Sequence, residues 1–368
     1  MKTVKKIKSN PVLKDLPTYQ PGRPIEEVAR ELGLPFETII KLASNENPLG
    51  PSPLAIEAMK KAVEQVNLYP DGNAYYLKNK LAEKLGVGTE NLILGNGSNE
   101  IIEFIGHAFI NPKAEVIVSE YSFAIYPIIT KMFGGKLVTV PAKNYGHNLK
   151  AMRNSITEKT AVVFVANPNN PTGTMAEESE VVDLIEKTPD SVLLVIDEAY
   201  IEFLDNPLNT LRYIQQGKGN LILMRTFSKI YGLAGLRLGY GIASKEIIQI
   251  LEKVRQPFNI NLVAQQAAIA ALDDIEHIRR TKENNKIGIA YYENEFKKLG
   301  LEYVQTYANF ILVKVGDGQR VFNEMQKLGV ITRPMGGYKL PEWIRITIGT
   351  PEENQKCINA LKKVLNLN

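Results

Sequence analysis

Between residues 92 and 244, short apolar runs alternate with segments of helical periodicity, and this alternation constrains the fold more than any other feature. The segments between these continuous runs, such as residues 178–187, have apolar residues at helical spacing. Continuous runs bounded by polar turns are typical of strands buried on both faces, and their alternation with helices predicts a mostly parallel sheet. The predicted strands are residues 116–118, 137–140, 161–165, 192–196 and 221–224, preceded by a run at 92–94.

The pattern changes after Ala267 and predicts a second, smaller unit. A long charged helical stretch covers residues 275–299, and two alternating strand candidates follow with a helix between them. At 368 residues the chain is long enough for two domains. We therefore predict an α/β fold, with a large domain whose mostly parallel central sheet is flanked by helices, plus a smaller α+β domain. The predicted bounds are 51–272 for the large domain, and 1–50 with 273–368 for the N-terminal arm and small domain.

Composition excludes several classes of protein. The net charge of +4 is spread along the chain apart from a lysine-rich segment at 2–8, so we expect no nucleic-acid partner. No apolar run approaches the roughly 20 residues needed to span a bilayer. The single cysteine, Cys357, excludes an internal disulfide and is typical of a cytoplasmic protein. Three scattered histidines have no metal-ligand spacing, so we expect no metal.

Ligands of open parallel sheets bind at the carboxyl ends of the strands, so the residues that follow each apolar run are the candidates for a site. After the run at 92–94 comes a glycine-rich loop that opens a helix. Such a loop can hold a phosphate with its backbone N–H groups and the helix dipole. Taken alone, a simple glycine turn with Ser98 or Asn99 as helix N-cap explains the same segment.

The other strand ends carry chemically distinct side chains. Tyr121 follows the run at 116–118, an amide-rich turn follows 161–165, and Asp197 follows 192–196. Lys229 follows 221–224 and precedes a glycine-rich segment that contains an arginine. A carboxylate at the end of a buried strand must be paired, because its desolvation is costly. Together these residues offer what a phosphorylated pyridine aldehyde needs: a phosphate cradle, a stacking ring, an amide, an acid, a phenol, a lysine and an arginine.

Seven segments of the chain are similar to one family of enzymes. They are PGRPIEEV at 21–28, LASNENP at 42–48, NNPTG at 169–173, DEAY at 197–200, SK at 228–229, RPMGGY at 333–338 and RITIG at 345–349. The chain resembles the fold-type I, aspartate aminotransferase-like family of pyridoxal-phosphate enzymes over nearly its whole length. The central segments are typical of the cofactor family, and the terminal segments are similar to the aminotransferases within it that act on histidinol phosphate.

The resemblance implies roles for the residues around the cofactor ring. Lys229 is expected to hold pyridoxal 5′-phosphate as a Schiff base and then to move a proton as general acid and base. Asp197 is expected to pair with the pyridine nitrogen and keep it protonated. Asn170 and Tyr200 are expected to bind the ring's phenolic oxygen, and Tyr121 is expected to stack on the ring.

The resemblance also implies how the phosphate and the substrate are bound. In this family a tyrosine of the second subunit reaches the cofactor phosphate, which predicts a homodimer with shared active sites. The expected phosphate ligands are Gly97, Ser98, Asn99, Ser228, Arg237 and the partner's equivalent of Tyr69. The expected substrate-binding residues are Tyr19, Asn309, Arg333 and Arg345. The substrates would be an amino donor, L-histidinol phosphate, and a 2-oxo acid, 2-oxoglutarate.

Three other functions remain open on the sequence. An aromatic amino acid aminotransferase, or an enzyme that accepts both kinds of donor, would need only one arginine clamp for its carboxylate. A pyridoxal-phosphate decarboxylase of a phosphorylated amino acid would share the same cofactor residues. A non-catalytic cofactor-binding regulator would normally carry a DNA-binding module, and the short N-terminal segment has no room for a helix-turn-helix.

Overall fold

The computed structural model describes residues 8–14, 16, 18 and 22–367. The strands are β1 Ile40–Lys41, β2 Leu92–Asn96, β3 Glu115–Ser119, β4 Lys136–Val140, β5 Thr160–Ala166, β6 Leu193–Asp197, β7 Leu221–Thr226, β8 Leu238–Ala243, β9 Tyr303–Val304, β10 Phe310–Lys314, β11 Val330–Ile331, β12 Arg333–Pro334 and β13 Trp343–Thr347. The helices are α1 Ile25–Leu32, α2 Pro53–Ala62, α3 Tyr75–Leu85, α4 Ser98–Phe109, α5 Ile125–Met132, α6 Leu149–Asn154, α7 Glu178–Lys187, α8 Leu211–Gln215, α9 Lys245–Glu252, α10 Leu262–Ala271, α11 Ile275–Lys298, α12 Gly318–Lys327 and α13 Pro351–Leu365. Within the described ranges, no helix is both long and apolar enough to cross a membrane.

The large sheet has seven strands in the order β2-β8-β7-β6-β5-β3-β4. Its inner strands are buried on both faces, since one hydrophobic cluster covers each side. The mostly parallel sheet predicted from the apolar runs is confirmed. Among the strands of this sheet that the structure describes, β8 alone runs antiparallel to its neighbours.

Strand β8 is the element of the large sheet that the sequence pattern did not reveal. Its apolar run is interrupted by Gly239 and Gly241, so the segment has the composition of a loop. The first glycine is required by a close approach of two backbones. A Cβ atom on Gly239 would lie 2.2 Å from the backbone nitrogen of Ser98, at the start of α4. The glycine thus lets the glycine-rich loop before α4 pack directly on β8.

A four-stranded antiparallel sheet, β12-β13-β10-β9, forms the second lobe with α11, α12 and α13. The smaller α+β unit predicted after Ala267 is present. The opening segment packs on this lobe: β1 pairs in parallel with β11, and Val28 of α1 lies in a cluster with Phe322 and Ile331. The predicted domain bounds at 50/51 and 272/273 stay a prediction.

The apolar pattern at 53–66 predicts a longer helix than the chain forms. Helix α2 ends at Ala62 and a 3-10 turn, Val63–Gln65, follows. The turn changes the rotation per residue, so Val63 and Val66 lose the buried face and are 52% and 63% exposed. With Tyr69, which is 83% exposed, they form part of an exposed apolar surface on the isolated chain.

Candidate active site

A cavity lies where the carboxyl ends of the parallel strands of the large sheet meet the small lobe. This is the position that open α/β sheets favour for ligands. The structure brings most of the predicted site residues together around it. The predicted residues that line the cavity are Gly97, Ser98, Asn99, Asn170, Asp197, Tyr200, Ser228, Lys229, Arg237, Arg333 and Arg345.

Lys229 follows β7 and directs its amine into the cavity. Its Nζ atom donates to the backbone carbonyls of Ser44 and Asn45, at 3.3 Å each. Burial, aided by the nearby positive charge of Arg345, lowers the pKa of Lys229 to about 8. A larger fraction of the amine is therefore neutral near pH 7 than for an ordinary lysine. A neutral amine is the form that attacks a carbonyl carbon.

Asp197 is the last residue of β6 and is only 6% exposed. One carboxylate oxygen, Oδ2, accepts from the Tyr126 hydroxyl at 2.8 Å. The other, Oδ1, accepts from the Ala199 backbone N–H at 3.1 Å. Burial raises the pKa of Asp197 to about 6, although both hydrogen bonds act in the opposite direction. Above pH 6 the cavity thus contains a buried carboxylate that a cationic ring nitrogen would neutralise.

Tyr200 and Asn170 contribute the phenol and the amide. The Tyr200 oxygen accepts from Asn45 Nδ2 at 2.9 Å, and burial raises the pKa of this phenol, so it stays protonated. Because Asn45 donates to this oxygen, the Tyr200 O–H can itself donate a hydrogen bond to another group. Asn170 Oδ1 accepts from Arg345 Nη1 at 2.6 Å, which joins the amide to the arginine of the small lobe.

The loop before α4 has the geometry of an anion cradle. Gly97 is the N-cap of this twelve-residue helix, with φ of 76°, and Ser98 and Asn99 begin the first turn. A Cβ atom on Gly97 would lie 2.5 Å from an Arg237 guanidinium nitrogen, so a side chain there would fill the cradle. The helix N-terminus and Arg237 both favour negative charge. With Asp197 and Lys229 in the same cavity, the residues fit a phosphorylated pyridine aldehyde.

Two arginines of the small lobe face each other at the cavity wall. Arg333 on β12 is the direct cross-strand partner of Arg345 on β13. Arg345 is 7% exposed, donates to the Ala43 carbonyl at 3.0 Å and lies 5.1 Å from the centre of the Phe310 ring. Like charges directly opposite each other on neighbouring strands repel. The arrangement therefore favours binding of an anion between them.

Tyr121 is not among the residues that line the cavity, and its predicted stacking on the cofactor ring stays a prediction. Its ring stacks on Tyr145 at 6.1 Å, and its carbonyl accepts from Asn169 Nδ2 at 2.7 Å. These contacts turn the side chain toward the small-lobe cluster that contains Trp343. The aromatic residue that lines the cavity from the same turn is Phe123.

Asn309 and Tyr69 are not among the residues that line the cavity. Asn309 is 2% exposed and donates to the Asn45 carbonyl at 3.0 Å, so it supports the cavity loop from behind. Tyr69 stacks on Phe258, with ring centres 4.8 Å apart, on the exposed apolar surface. Its predicted contact with a second subunit stays a prediction. Tyr19 lies outside the described residues.

Sequence reasoning did not single out Phe123, Tyr126 or Asn45 as site residues. Phe123 lies two positions after Tyr121 in the same turn, and no local pattern decides which ring faces the cavity. Tyr126 falls in the apolar pattern of α5 and looks like a core residue. Asn45 carried the one available signal, since it belongs to the LASNENP segment and has a positive φ of 55°, which asparagine tolerates better than most residues.

The chain is similar to proteins of known class along most of its length. The family model described as aminotransferase class I and II matches residues 37–361. A histidinol-phosphate aminotransferase of Akkermansia muciniphila is 54% identical, over 95% of this chain and 97% of that relative. The enzyme of the same name from Moorella thermoacetica is 48% identical, over 94% of this chain and 90% of that relative.

A solved structure has the same fold. It is the histidinol-phosphate aminotransferase of Sinorhizobium meliloti in complex with pyridoxal 5′-phosphate. The TM-score is 0.90 and the sequences are 28% identical, with 98% of each chain covered. The likeness therefore extends over both lobes.

Proposed function

The chain belongs to the class I and II aminotransferases, and we propose that it moves the amino group between L-histidinol phosphate and 2-oxoglutarate in histidine biosynthesis. The observation that carries the choice of substrate is the cross-strand pair of Arg333 and Arg345 at the cavity wall. Histidinol phosphate has no carboxylate, and its phosphate is close to a dianion at neutral pH. Two guanidinium groups can neutralise this charge with several charge-assisted hydrogen bonds. The names of the two bacterial relatives support the same substrate.

The cofactor of the enzyme is pyridoxal 5′-phosphate. When bound, it withdraws electrons from the bonds at the amine-bearing carbon of the substrate. We assign its phosphate to the cradle of Gly97, Ser98, Asn99, Ser228 and Arg237. We propose Phe123, which lines the cavity, as a second candidate beside Tyr121 for the side chain that packs against its ring.

We assign the remaining roles from the family resemblance together with the positions of the side chains. Lys229 would hold the cofactor through Nζ and would carry a proton at the same atom during the reaction. Asp197 remains ionised above its pKa of about 6 and would hold the ring nitrogen of the cofactor in its protonated form. Tyr200, whose oxygen accepts from Asn45, donates its proton toward the cavity. Lys229 can rest against the carbonyls of Ser44 and Asn45 when it is free.

One set of measurements tests the proposal. The purified protein is expected to be yellow and to form glutamate from 2-oxoglutarate when histidinol phosphate is supplied. Phenylalanine and tyrosine, tested in parallel, distinguish an aromatic amino acid aminotransferase or an enzyme of dual specificity. Carbon dioxide release from a phosphorylated amino acid, without formation of glutamate, would identify a decarboxylase and contradict the proposal.

We further propose that the enzyme is a homodimer with shared active sites. Val63, Val66, Leu68 and Tyr69 are all more than half exposed, as are Tyr75 and Tyr76. A group of large apolar side chains on a single chain is typical of a surface that a partner covers. A second copy of the chain would bury it and could bring its Tyr69 toward the phosphate cradle. The cytoplasmic location expected from the single cysteine stays a prediction.

Hybrid dimers test whether the sites are shared. A Lys229→Ala chain mixed with a Tyr69→Ala chain is expected to form a heterodimer with one site that has neither change. Random assortment would then restore up to about a quarter of the wild-type activity, because half of the dimers are hybrids with one intact site. The matched control mixes a chain that carries both changes with the wild type, whose hybrid has no intact site. The two hybrids are compared after purification, because the control mixture also contains about a quarter of wild-type dimers. Equal activity of the two purified hybrids, or full activity of a monomer, would contradict the shared site.

A further inference from the structure

Tyr126 is a buried residue of the cavity wall that the roles above leave unused. We propose that Tyr126 is a positioning residue that orients Asp197 and keeps its carboxylate available to the ring nitrogen of the cofactor. The proposal rests on the proposed function, because that function assigns the pairing with the ring nitrogen to Asp197. It concerns a contact between two residues of this chain, 71 positions apart.

The tyrosine has little freedom to move. Tyr126 lies in the first turn of α5 and is 0% exposed. Its ring stacks on Phe164 of β5, with centres 4.6 Å apart and planes 7° apart, and Phe123 meets it edge-on at 5.7 Å. A ring clamped in this way has its hydroxyl at a fixed point. That point is 2.8 Å from Asp197 Oδ2.

The hydroxyl complements the second hydrogen bond of the carboxylate. Ala199 N–H donates to Oδ1 and Tyr126 O–H donates to Oδ2, so each oxygen has one protein donor and the plane of the group is set. Each oxygen keeps a further lone pair that can face the cavity. Tyr126→Phe would keep the packing of the ring and remove only the second donor.

The charged groups around Asp197 decide the direction of the effect. Glu198, next in the chain, raises the pKa of Asp197, whereas Lys229 and the hydrogen bonds from Tyr126 and Ala199 lower it. Tyr200 also faces the carboxylate, and its phenol stays neutral because burial raises its pKa. Removing the Tyr126 hydroxyl therefore raises the pKa of Asp197. An acid with a higher pKa stays protonated up to a higher pH. In its protonated form it cannot neutralise a cationic ring nitrogen.

The first test is the pH dependence of cofactor binding to the cofactor-free protein. In the wild type, affinity for pyridoxal 5′-phosphate is expected to fall as the pH drops through about 6, the pKa of Asp197. In Tyr126→Phe the fall should begin at higher pH, and affinity at pH 7 should be about tenfold lower, since a hydrogen bond to a charged group is lost. The matched control is Tyr292→Phe, which alters another fully buried tyrosine, in the small-lobe core. Its pH profile should match that of the wild type.

The second test needs no cofactor. Because the pKa of Asp197 in the folded state is above its ordinary value, Asp197 contributes stability at low pH that is lost as the pH rises through the folded pKa. The Tyr126 hydroxyl binds the ionised form more strongly than the neutral form. The difference in melting temperature between wild type and Tyr126→Phe should therefore widen between about pH 5 and pH 8. For Tyr292→Phe the difference should stay constant with pH.

The outcomes separate the two proposals. If the wild type fails to bind pyridoxal 5′-phosphate, the proposed function is wrong, while the melting experiment still tests the contact between Tyr126 and Asp197. If the wild type binds the cofactor but Tyr126→Phe has an unchanged pH profile and a constant difference in melting temperature, the positioning role is wrong. A Tyr126→Phe protein that binds the cofactor with a pH profile shifted to higher pH supports the positioning role.

Discussion

Replacement of Lys229 by alanine is expected to lower the rate of amino transfer by about 10⁴-fold or more. The change removes the amine that binds the cofactor covalently and the group that carries the proton in the chemical step. The fold should persist, because the side chain makes its hydrogen bonds with the Ser44 and Asn45 carbonyls at the surface of the cavity rather than in the core. The phosphate cradle and Asp197 are unchanged, so the variant should still bind the cofactor non-covalently.

Two measurements check this expectation. Single-turnover assays with histidinol phosphate measure the chemical step, and borohydride reduction followed by peptide mapping locates the covalent label. In the wild type the label should be on Lys229. Lys282→Ala is a suitable control, since Lys282 is partly buried and also donates to a backbone carbonyl, at 2.8 Å, away from the cavity. Labelling of any other lysine would overturn the assignment.

Replacement of the two arginines is expected to separate the substrates. Arg345→Ala should lower kcat/KM for histidinol phosphate, for phenylalanine and for glutamate alike, by about 2–4 kcal/mol, or roughly 30- to 800-fold. The reason is that Arg345 is 7% exposed, is held by Asn170 and Ala43, and is placed to clamp any anionic group. Arg333→Ala should lower the value mainly for histidinol phosphate, because only a dianionic phosphate needs both guanidinium groups.

Steady-state kinetics with the three substrates measure these losses. Arg333→Lys keeps the charge but loses bidentate geometry, and it should recover only part of the loss. Arg320→Ala removes an exposed cation from α12 of the same lobe and should leave all three values unchanged. Equal losses for histidinol phosphate and phenylalanine in Arg333→Ala would mean that Arg333 does not bind the phosphate. The choice of substrate would then rest on the similarity to relatives alone.

The sequence by itself determined the parts of the fold and site that depend on local pattern. Runs of apolar residues that no polar residue interrupts must be buried on both faces, which determined β3, β5, β6 and β7 and the parallel order of most of the sheet. Asp197 and Lys229 stand at the ends of such strands, where open sheets bind ligands and where a buried charge must be paired. Helix α7 also depends on local pattern, because the apolar spacing within residues 178–187 predicts the helix that forms there.

Only the tertiary structure decided the features that depend on where a side chain points or on its contacts with distant segments of the chain. Which of Tyr121 and Phe123 lines the cavity depends on how one turn packs against Tyr145 of another segment. Strand β8 forms although its glycines weaken the local pattern, because its neighbours on both sides supply the hydrogen bonds. The contact of Tyr126 with Asp197 joins a helix to a strand end 71 residues away. Helix α2 ends at Ala62, and this exposes side chains that the apolar periodicity assigns to the core. Hydrophobic spacing indicates that a side chain is buried, but it does not indicate whether the chain itself or a partner buries it.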